Sequence, residues 1–177
     1  MSNTIYVGTS IDGYIADREG KLDFLESVPN PEHDDLGFAD FMDSVDALLM
    51  GRKTFETVLG FGVEWPYPKH VFVYSSLLKS VPDDLADRVT IVSGELDVVV
   101  NRLNREGYER LYIDGGRLIQ SLLQEDKIDT MIIARLPVLL GGGISLFGST
   151  PAHLDFEHVR TEVLLNAIVM TTYQRKR

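Results

Sequence analysis

The sequence predicts an α/β fold: a mainly parallel sheet covered on both faces and completed by antiparallel strands at its C-terminal end. Three observations predict it. Short β-branched or apolar runs alternate with helical periods from Thr4 to Leu123, the pattern of strands joined by crossover helices. Several of those runs stop at small or polar residues, as strands do where they feed a helix. From Ile128 to Gln174 only strand-like runs remain, and these suit antiparallel addition at a sheet edge.

Taken in order, Thr4 to Ser10 (TIYVGTS) is β-branched and aromatic and reads as a buried strand. Asp12-Gly13 punctuates it, Tyr14-Ile15-Ala16 continues it briefly, and Asp17 to Lys21 makes a polar turn around Gly20. Leu22 to Pro31 is loop-like. A helix is expected from about His33-Asp34-Asp35, with acids in its first turn, because Leu36, Phe38, Ala39, Phe41, Met42 and Val45 follow at helical spacing. Ala47 to Met50 is a short buried strand, and Arg52 to Leu59 a helix. Gly60 to Pro68, which holds the single tryptophan Trp65, is a loop.

Val71 to Tyr74 is a strand ending at Ser75-Ser76, and Val81 to Asp84 a turn. Val89 to Val92 is a strand ending at Ser93-Gly94. Leu96 to Asn104 is a helix stopped by Gly107. Leu111 to Ile113 is a strand ending at Asp114-Gly115-Gly116, and Arg117 to Leu123 is the next helix. Ile128 to Leu140 reads as a long strand broken or bent at Pro137, followed by Gly141-Gly142-Gly143 and by Ile144 to Phe147. Two final runs, His158 to Leu165 and Ala167 to Gln174, flank Asn166, a candidate hairpin turn.

At 177 residues, with 44% hydrophobic and 25% charged residues, the chain fits one domain, 1–177, with a sizeable core. No apolar run reaches the length of a membrane span, and Met1-Ser2-Asn3-Thr4 does not open a secretory leader. Zero cysteines exclude disulfides and thiolate metal sites. The expected compartment is the cytoplasm. The four histidines are scattered without metal-ligand spacing, so no metal is expected. The formal charge of −10 argues against nucleic acid as a partner. It also makes a local cluster of cations the informative feature.

Three strand ends carry such chemistry: Gly51-Arg52-Lys53-Thr54, Ser75-Ser76 and Asp114-Gly115-Gly116-Arg117. In open α/β sheets ligands bind outside the carboxyl ends of the strands. Helix N-termini there present backbone N–H groups and the positive end of the helix dipole to an anion. Any one group alone also reads as ordinary turn chemistry; the three together point to a phosphate-bearing ligand. No GxGxxG follows the first strand, and no Lys-Ser/Thr pair follows Gly141-Gly142-Gly143, so neither a Rossmann site nor a P-loop is present. The triple glycine reads as a tight turn or bulge.

Met50-Gly51-Arg52-Lys53-Thr54-Phe55-Glu56 resembles the MGRxT[WFY]E signature of the dihydrofolate reductase fold. Ser10 to Ala16 (SIDGYIA) and Pro137 to Phe147 (PVLLGGGISLF) are similar to segments of its riboflavin-biosynthesis reductase branch, the C-terminal domain of bifunctional deaminase-reductases. Val73-Tyr74-Ser75-Ser76, Asp87-Arg88-Val89-Thr90 and Tyr112 to Gly116 fall in the matching order. The resemblance covers nearly the whole chain. It implies a three-layer α-β-α fold, hydride transfer from NADPH, and a homodimer paired through the C-terminal edge strands.

The resemblance also implies roles at matched positions. Arg52, with Ser75 and Ser76, would hold the 2′-phosphate, a pairing suited to a guanidinium fork. Lys53 and Thr54 would meet the 2′-phosphate or the pyrophosphate. Gly115, Gly116, Arg117 and Leu118 would cradle the pyrophosphate, with a cis peptide expected between the two glycines. Gly51 makes the turn into the helix, Ser93 lies where adenine is contacted, and Gly8 and Ile15 would border the nicotinamide. Asp35 lies at the family's acidic position and would supply or relay a proton; it also reads simply as a helix N-terminal charge.

The Pro-Trp pair of dihydrofolate reductases is missing from Gly20 to Phe24, and no cation between Asp35 and Met50 would hold a folate tail. Folate is therefore disfavoured, and the resemblance implies instead a small heterocyclic or ring-opened substrate, pteridine- or pyrimidine-like. A non-catalytic relative that binds a nucleotide or flavin is the alternative. For a phosphorylated ribityl chain, Lys69, His70 and Arg135 are the only further candidates.

Overall fold

The computed structural model describes residues 1–177. In chain order its elements are β1 (Ser2–Thr9), β2 (Tyr14–Ala16), α1 (Phe38–Ser44), β3 (Ala47–Gly51), α2 (Arg52–Gly60), β4 (His70–Tyr74), β5 (Val89–Val92), α3 (Leu96–Arg105), β6 (Arg110–Asp114), α4 (Gly116–Gln124), β7 (Thr130–Arg135), β8 (Ile144–Ser145), β9 (Phe156–Leu164) and β10 (Ile168–Arg175). Eight strands form one sheet in the order β5-β4-β3-β6-β1-β7-β10-β9. Pairing is parallel from β5 through β7 and antiparallel at β10 and β9. The three-layer α/β architecture with antiparallel C-terminal strands is thus present as the sequence predicts.

Strand β3 shows why the sheet is covered on both faces. Ala47 and Leu49 point into one apolar cluster with Ile5, Ile113 and the helical residues Val99, Leu103, Ile119 and Leu122 of α3 and α4. Leu48 and Met50 point the other way, among Phe41, Phe55, Val58, Val73 and Tyr112, under α1 and α2. All four β3 residues are fully buried, so the strand must be apolar at every position rather than at alternate ones. A third, smaller cluster joins Phe24, Val28, Leu136, Ile168 and Met170 near the first loop.

Three local expectations need correction. The first helix begins at Phe38, not near His33-Asp34-Asp35. His33, Leu36 and Gly37 have φ of 53°, 58° and 83°, left-handed values that no α-helix accommodates. The Asp35 carboxylate instead accepts from the amides of Gly37 (2.9 Å) and Ala39 (2.9 Å), capping the helix from outside. The strand expected over Ile128–Leu140, broken or bent at Pro137, is broken there and shorter, running Thr130–Arg135, because Pro137 has no amide to continue the ladder. Beyond it the Leu140 and Gly141 amides donate to the Asp12 carboxylate at 3.1 and 2.8 Å. Finally, every peptide bond is trans, including Gly115–Gly116. The chain turns there through Gly115 at φ 108°, without the cost of about 3 kcal/mol that a non-proline cis bond carries.

Several connections form as expected. Gly107 ends α3 with φ 101°, and Leu165 and Asn166, at φ 49° and 53°, turn β9 into β10 with Ala167 N donating to Leu164 O at 3.0 Å. The triple glycine is a close-approach turn: a side chain at Gly143 would collide with the Ala16 carbonyl oxygen. No helix is long and apolar enough to cross a membrane.

Candidate functional site

Strands β3, β4 and β6 are neighbours and run parallel, so their carboxyl ends open on one rim. The register sets Gly51 beside Tyr74 and Met50 beside Asp114. The turns that follow, into α2 and α4, therefore lie side by side. They pack tightly: a Cβ added at Gly115 would lie 2.5 Å from Thr54 Oγ1 and 3.5 Å from the Gly51 amide nitrogen. Only glycine combines that contact with φ 108°. Neither α2 nor α4 has a side-chain cap, so both present first-turn N–H groups outward. A cleft of about 860 Å³ opens over these turns.

The cleft's basic end is built from α2, the end of β4 and α4. Its cations are Arg52, Lys53 and Arg117. The Arg52 guanidinium makes a fork onto Glu56, with Nη1 at 2.7 and 2.9 Å from the two carboxylate oxygens. Its other donors have no hydrogen bond within the protein and remain for an anion. Ser75 Oγ accepts from the Leu77 and Leu78 amides at 3.1 and 3.0 Å. Those bonds fix the oxygen and leave the hydroxyl hydrogen to donate. Two uncapped helix N-termini, three cations and two serines in one cleft fit a dinucleotide bearing several phosphates.

The two-stranded sheet of β2 and β8 covers the start of α4. A Cβ at Gly116 would meet Ile15 Cδ1 at 2.8 Å and Ile144 Cγ2 at 3.3 Å. The flap is latched from both sides. Ser10 Oγ accepts from Tyr14 N at 3.0 Å, and Asp12 ties the first loop to Leu140-Gly141. The hydrogen bonds to Asp12, from Ser10 first and then from the Leu140 and Gly141 amides, hold its carboxyl below the usual range.

The opposite end of the cleft is aromatic and aliphatic, lined by Tyr6, Gly8, Leu22, Leu25, Val58, Phe61, Tyr67 and Tyr112. Tyr6 stacks on Phe41 at 4.7 Å, and Phe41 meets Tyr112 edge-on at 5.0 Å. Tyr112 donates its hydroxyl to Tyr6 O (3.1 Å), and Tyr6 donates to Leu36 O (2.9 Å). Gly8 permits the close approach of Leu25, whose Cδ2 would lie 2.5 Å from a Cβ there. Trp65 packs edge-on against Tyr67 at 5.2 Å and Phe55 at 5.7 Å, so the single tryptophan stands just behind the cleft wall.

One carboxyl lines the cleft, that of Asp114 at the end of β6. Burial pushes its pKa from 3.8 up to about 6, against the opposing pull of the Gly115 amide and the Tyr112 hydroxyl. Burial also raises Tyr6, to about 12, with Asp35 and Glu162 adding negative field. Tyr67 is raised by burial and then by Asp114, and Tyr112 by burial and then by Asp114. A carboxyl that keeps its proton to near pH 6 is suited to general acid work.

The profile of the RibD C-terminal domain matches residues 4–170. The chain belongs to the RibD C-terminal domain family. A protein from Shewanella sp. PV-4, provisionally described as a riboflavin biosynthesis protein, is 50% identical, with a TM-score of 0.97 over all of both chains. The Bacillus subtilis (strain 168) protein YwjB, which is uncharacterised, is 34% identical over 145 residues, 81% of this chain and 80% of its own. The fold is also that of the Thermotoga maritima diaminohydroxyphosphoribosylaminopyrimidine deaminase/5-amino-6-(5-phosphoribosylamino)uracil reductase. That match has a TM-score of 0.75 at 12% identity and covers 99% of this chain and 56% of that one.

Within this RibD C-terminal domain, the cleft brings together Gly8, Ile15, Gly51, Arg52, Lys53, Thr54, Ser75, Ser76, Gly115, Gly116, Arg117 and Leu118. Two expected positions lie outside its lining. Ser93 is exposed past the end of β5, the outermost strand. Asp35 is exposed beyond the aromatic wall, engaged in capping α1. Sequence reasoning passed over Tyr6, Leu25, Phe61 and Tyr67, which carry no local signature and meet only in three dimensions. Asp114 had one: an acid at a strand end directly before Gly-Gly.

Proposed function

We propose that this protein is an NADPH-dependent reductase that transfers hydride to a small heterocyclic or ring-opened compound, pteridine- or pyrimidine-like, as riboflavin-pathway reductases do. One observation carries the reading. Arg52, Ser75 and Ser76 share a cleft with the uncapped starts of α2 and α4, a donor set suited to a 2′-phosphate beside a pyrophosphate. The Thermotoga maritima protein of the same fold is named for a reductase activity, which supports the reductase class.

The bound cofactor would supply hydride; the protein would do the rest. Arg52 and Ser75 would select the phosphorylated ribose. The Gly115–Gly116 turn would let the pyrophosphate approach the backbone. The flap of β2 and β8 would exclude water from above. Asp114, protonated up to about pH 6, would give a proton at its carboxyl oxygen to the reduced ring. We assign that role to Asp114 rather than Asp35, whose carboxylate is committed to the start of α1.

Titration with NADPH, followed through Trp65 emission, tests the reading. Arg52→Ala should weaken NADPH by roughly 10- to 100-fold, the range for losing a charged hydrogen-bonded pair, and leave NADH nearly unchanged. Equal losses for both nucleotides would refute the phosphate assignment. The lack of cysteine supports work in the cytoplasm.

The same reading includes a homodimer. Strand β9 is the last strand of the sheet, and Val159, Val163 and Val169 of its hairpin with β10 are 51%, 64% and 40% exposed. An uncovered apolar edge of that length favours pairing. Light scattering on the purified protein should give twice the chain mass, and a monomer would contradict it.

A further inference from the structure

We propose that the acceptor reduced in this cleft carries no phosphate: it is a planar ring compound, neutral or cationic, held by its faces. The inference rests on the reductase reading and narrows its substrate class.

The cleft is chemically divided. Its three cations, Arg52, Lys53 and Arg117, all lie on the first turns of α2 and α4. A dinucleotide with a 2′-phosphate and a pyrophosphate would engage all of them. The rest of the lining includes Tyr6, Leu22, Leu25, Phe61 and Tyr67, and its one charged group is Asp114, at the end of β6 directly before Gly115. Beyond those three cations the lining holds no lysine, arginine or histidine. A phosphate monoester carries close to two charges at neutral pH and needs cations or several convergent N–H donors.

Charge points the same way, because the Asp114 carboxyl is the one charged side chain beside the aromatic wall and, ionised, it repels a second anion. The chain as a whole carries −10, so the long-range potential does not compensate. Two of the wall's three hydroxyls are engaged within the protein, Tyr6 donating to Leu36 O and Tyr112 to Tyr6 O, which leaves the single Tyr67 hydroxyl, too few donors for a phosphate. Apart from the Asp114 carboxyl and the Tyr67 hydroxyl, what remains for a ligand is ring face and aliphatic surface, which favour a flat, weakly hydrated acceptor.

The candidates that could have supplied a second phosphate site lie elsewhere. Arg18 donates to Gly141 O at 2.7 Å, and none of Arg18, Lys69, His70 and Arg135 lines the cleft. The Thermotoga maritima relative is named for a phosphoribosylamino substrate; this cleft has no cation left for such a phosphate once a dinucleotide engages Arg52, Lys53 and Arg117.

The test uses matched pairs that differ only in a phosphate: riboflavin against its 5′-phosphate, and 5-amino-6-ribitylaminouracil against its 5′-phosphate. Binding is followed by fluorescence or calorimetry, with and without saturating NADP⁺. The phosphate-free member of each pair should bind at least about tenfold more tightly in the NADP⁺ complex. Equal or tighter binding of the phosphorylated members overturns the proposal. So does failure of both phosphate-free compounds to bind at about 1 mM. Failure of NADP⁺ itself to bind would instead sink the cofactor reading, and the pairs measured without nucleotide then decide this one. As a positive control, Leu25→Arg should raise affinity for the phosphorylated members relative to their phosphate-free partners, and an unchanged ratio would count against this wall as the acceptor's site.

Discussion

Replacing Asp114 by asparagine removes one ionisable proton from the cleft and little else. The side chain keeps its size and an oxygen to accept from the Gly115 amide. In the native protein burial raises the carboxyl from 3.8 to about 6. The folded state therefore holds a proton that the unfolded chain releases earlier. Because the folded-state pKa is the higher one, the stability this group contributes is fully present below about pH 3.8 and is lost as pH rises through about 6. Two units of displacement, at about 1.4 kcal/mol each, come to about 3 kcal/mol. That figure is an upper one, since Asp114 is half-buried and solvent screens part of the effect. The stability difference between Asp114→Asn and the native protein should thus grow by about 2–3 kcal/mol in favour of the variant between about pH 4 and 7.5. Urea unfolding of both proteins across that range, with m-values checked for constancy, measures it directly. A difference that stays level with pH would refute the burial argument. If Asp114 also donates the proton, the limb of the rate profile near pH 6 should vanish in the variant.

Gly115→Ala would place a Cβ 2.5 Å from Thr54 Oγ1 at a backbone φ of 108°. It should cost about 2–3 kcal/mol in chemical denaturation, and Thr54→Ala in the same chain should recover only the contact part of that loss. Glu56 occupies one side of the Arg52 guanidinium, so Glu56→Gln should tighten NADPH by about two- to tenfold; weaker binding in the Trp65 titration would contradict that competition. Asp35→Asn keeps an acceptor for the start of α1 and should leave kcat within about twofold. A loss beyond about 100-fold would move the proton-donating role from Asp114 to Asp35.

The sequence by itself determined the layered sheet and most of the basic end of the cleft. Leu48-Leu49-Met50 is apolar at every position because a parallel strand is buried on both faces, and that is legible without coordinates. The chemistry at Gly51-Arg52-Lys53, Ser75-Ser76 and Gly115-Gly116 is legible too, because in an open α/β sheet strand ends share one rim. The start of α1 was not legible. Acids in a first turn look alike whether they sit inside the helix or cap it from a left-handed segment, and only the φ values of Leu36 and Gly37 distinguish the two.

Tertiary structure alone decided the character of the acceptor end. Tyr6, Leu25, Phe61 and Tyr67 come from β1, the first loop, the end of α2 and the loop after it, with no shared spacing in the chain. The role of Asp114 was decided there as well. A carboxyl's proton affinity depends on what excludes water from it, and its apolar and aromatic surroundings are assembled only by the fold.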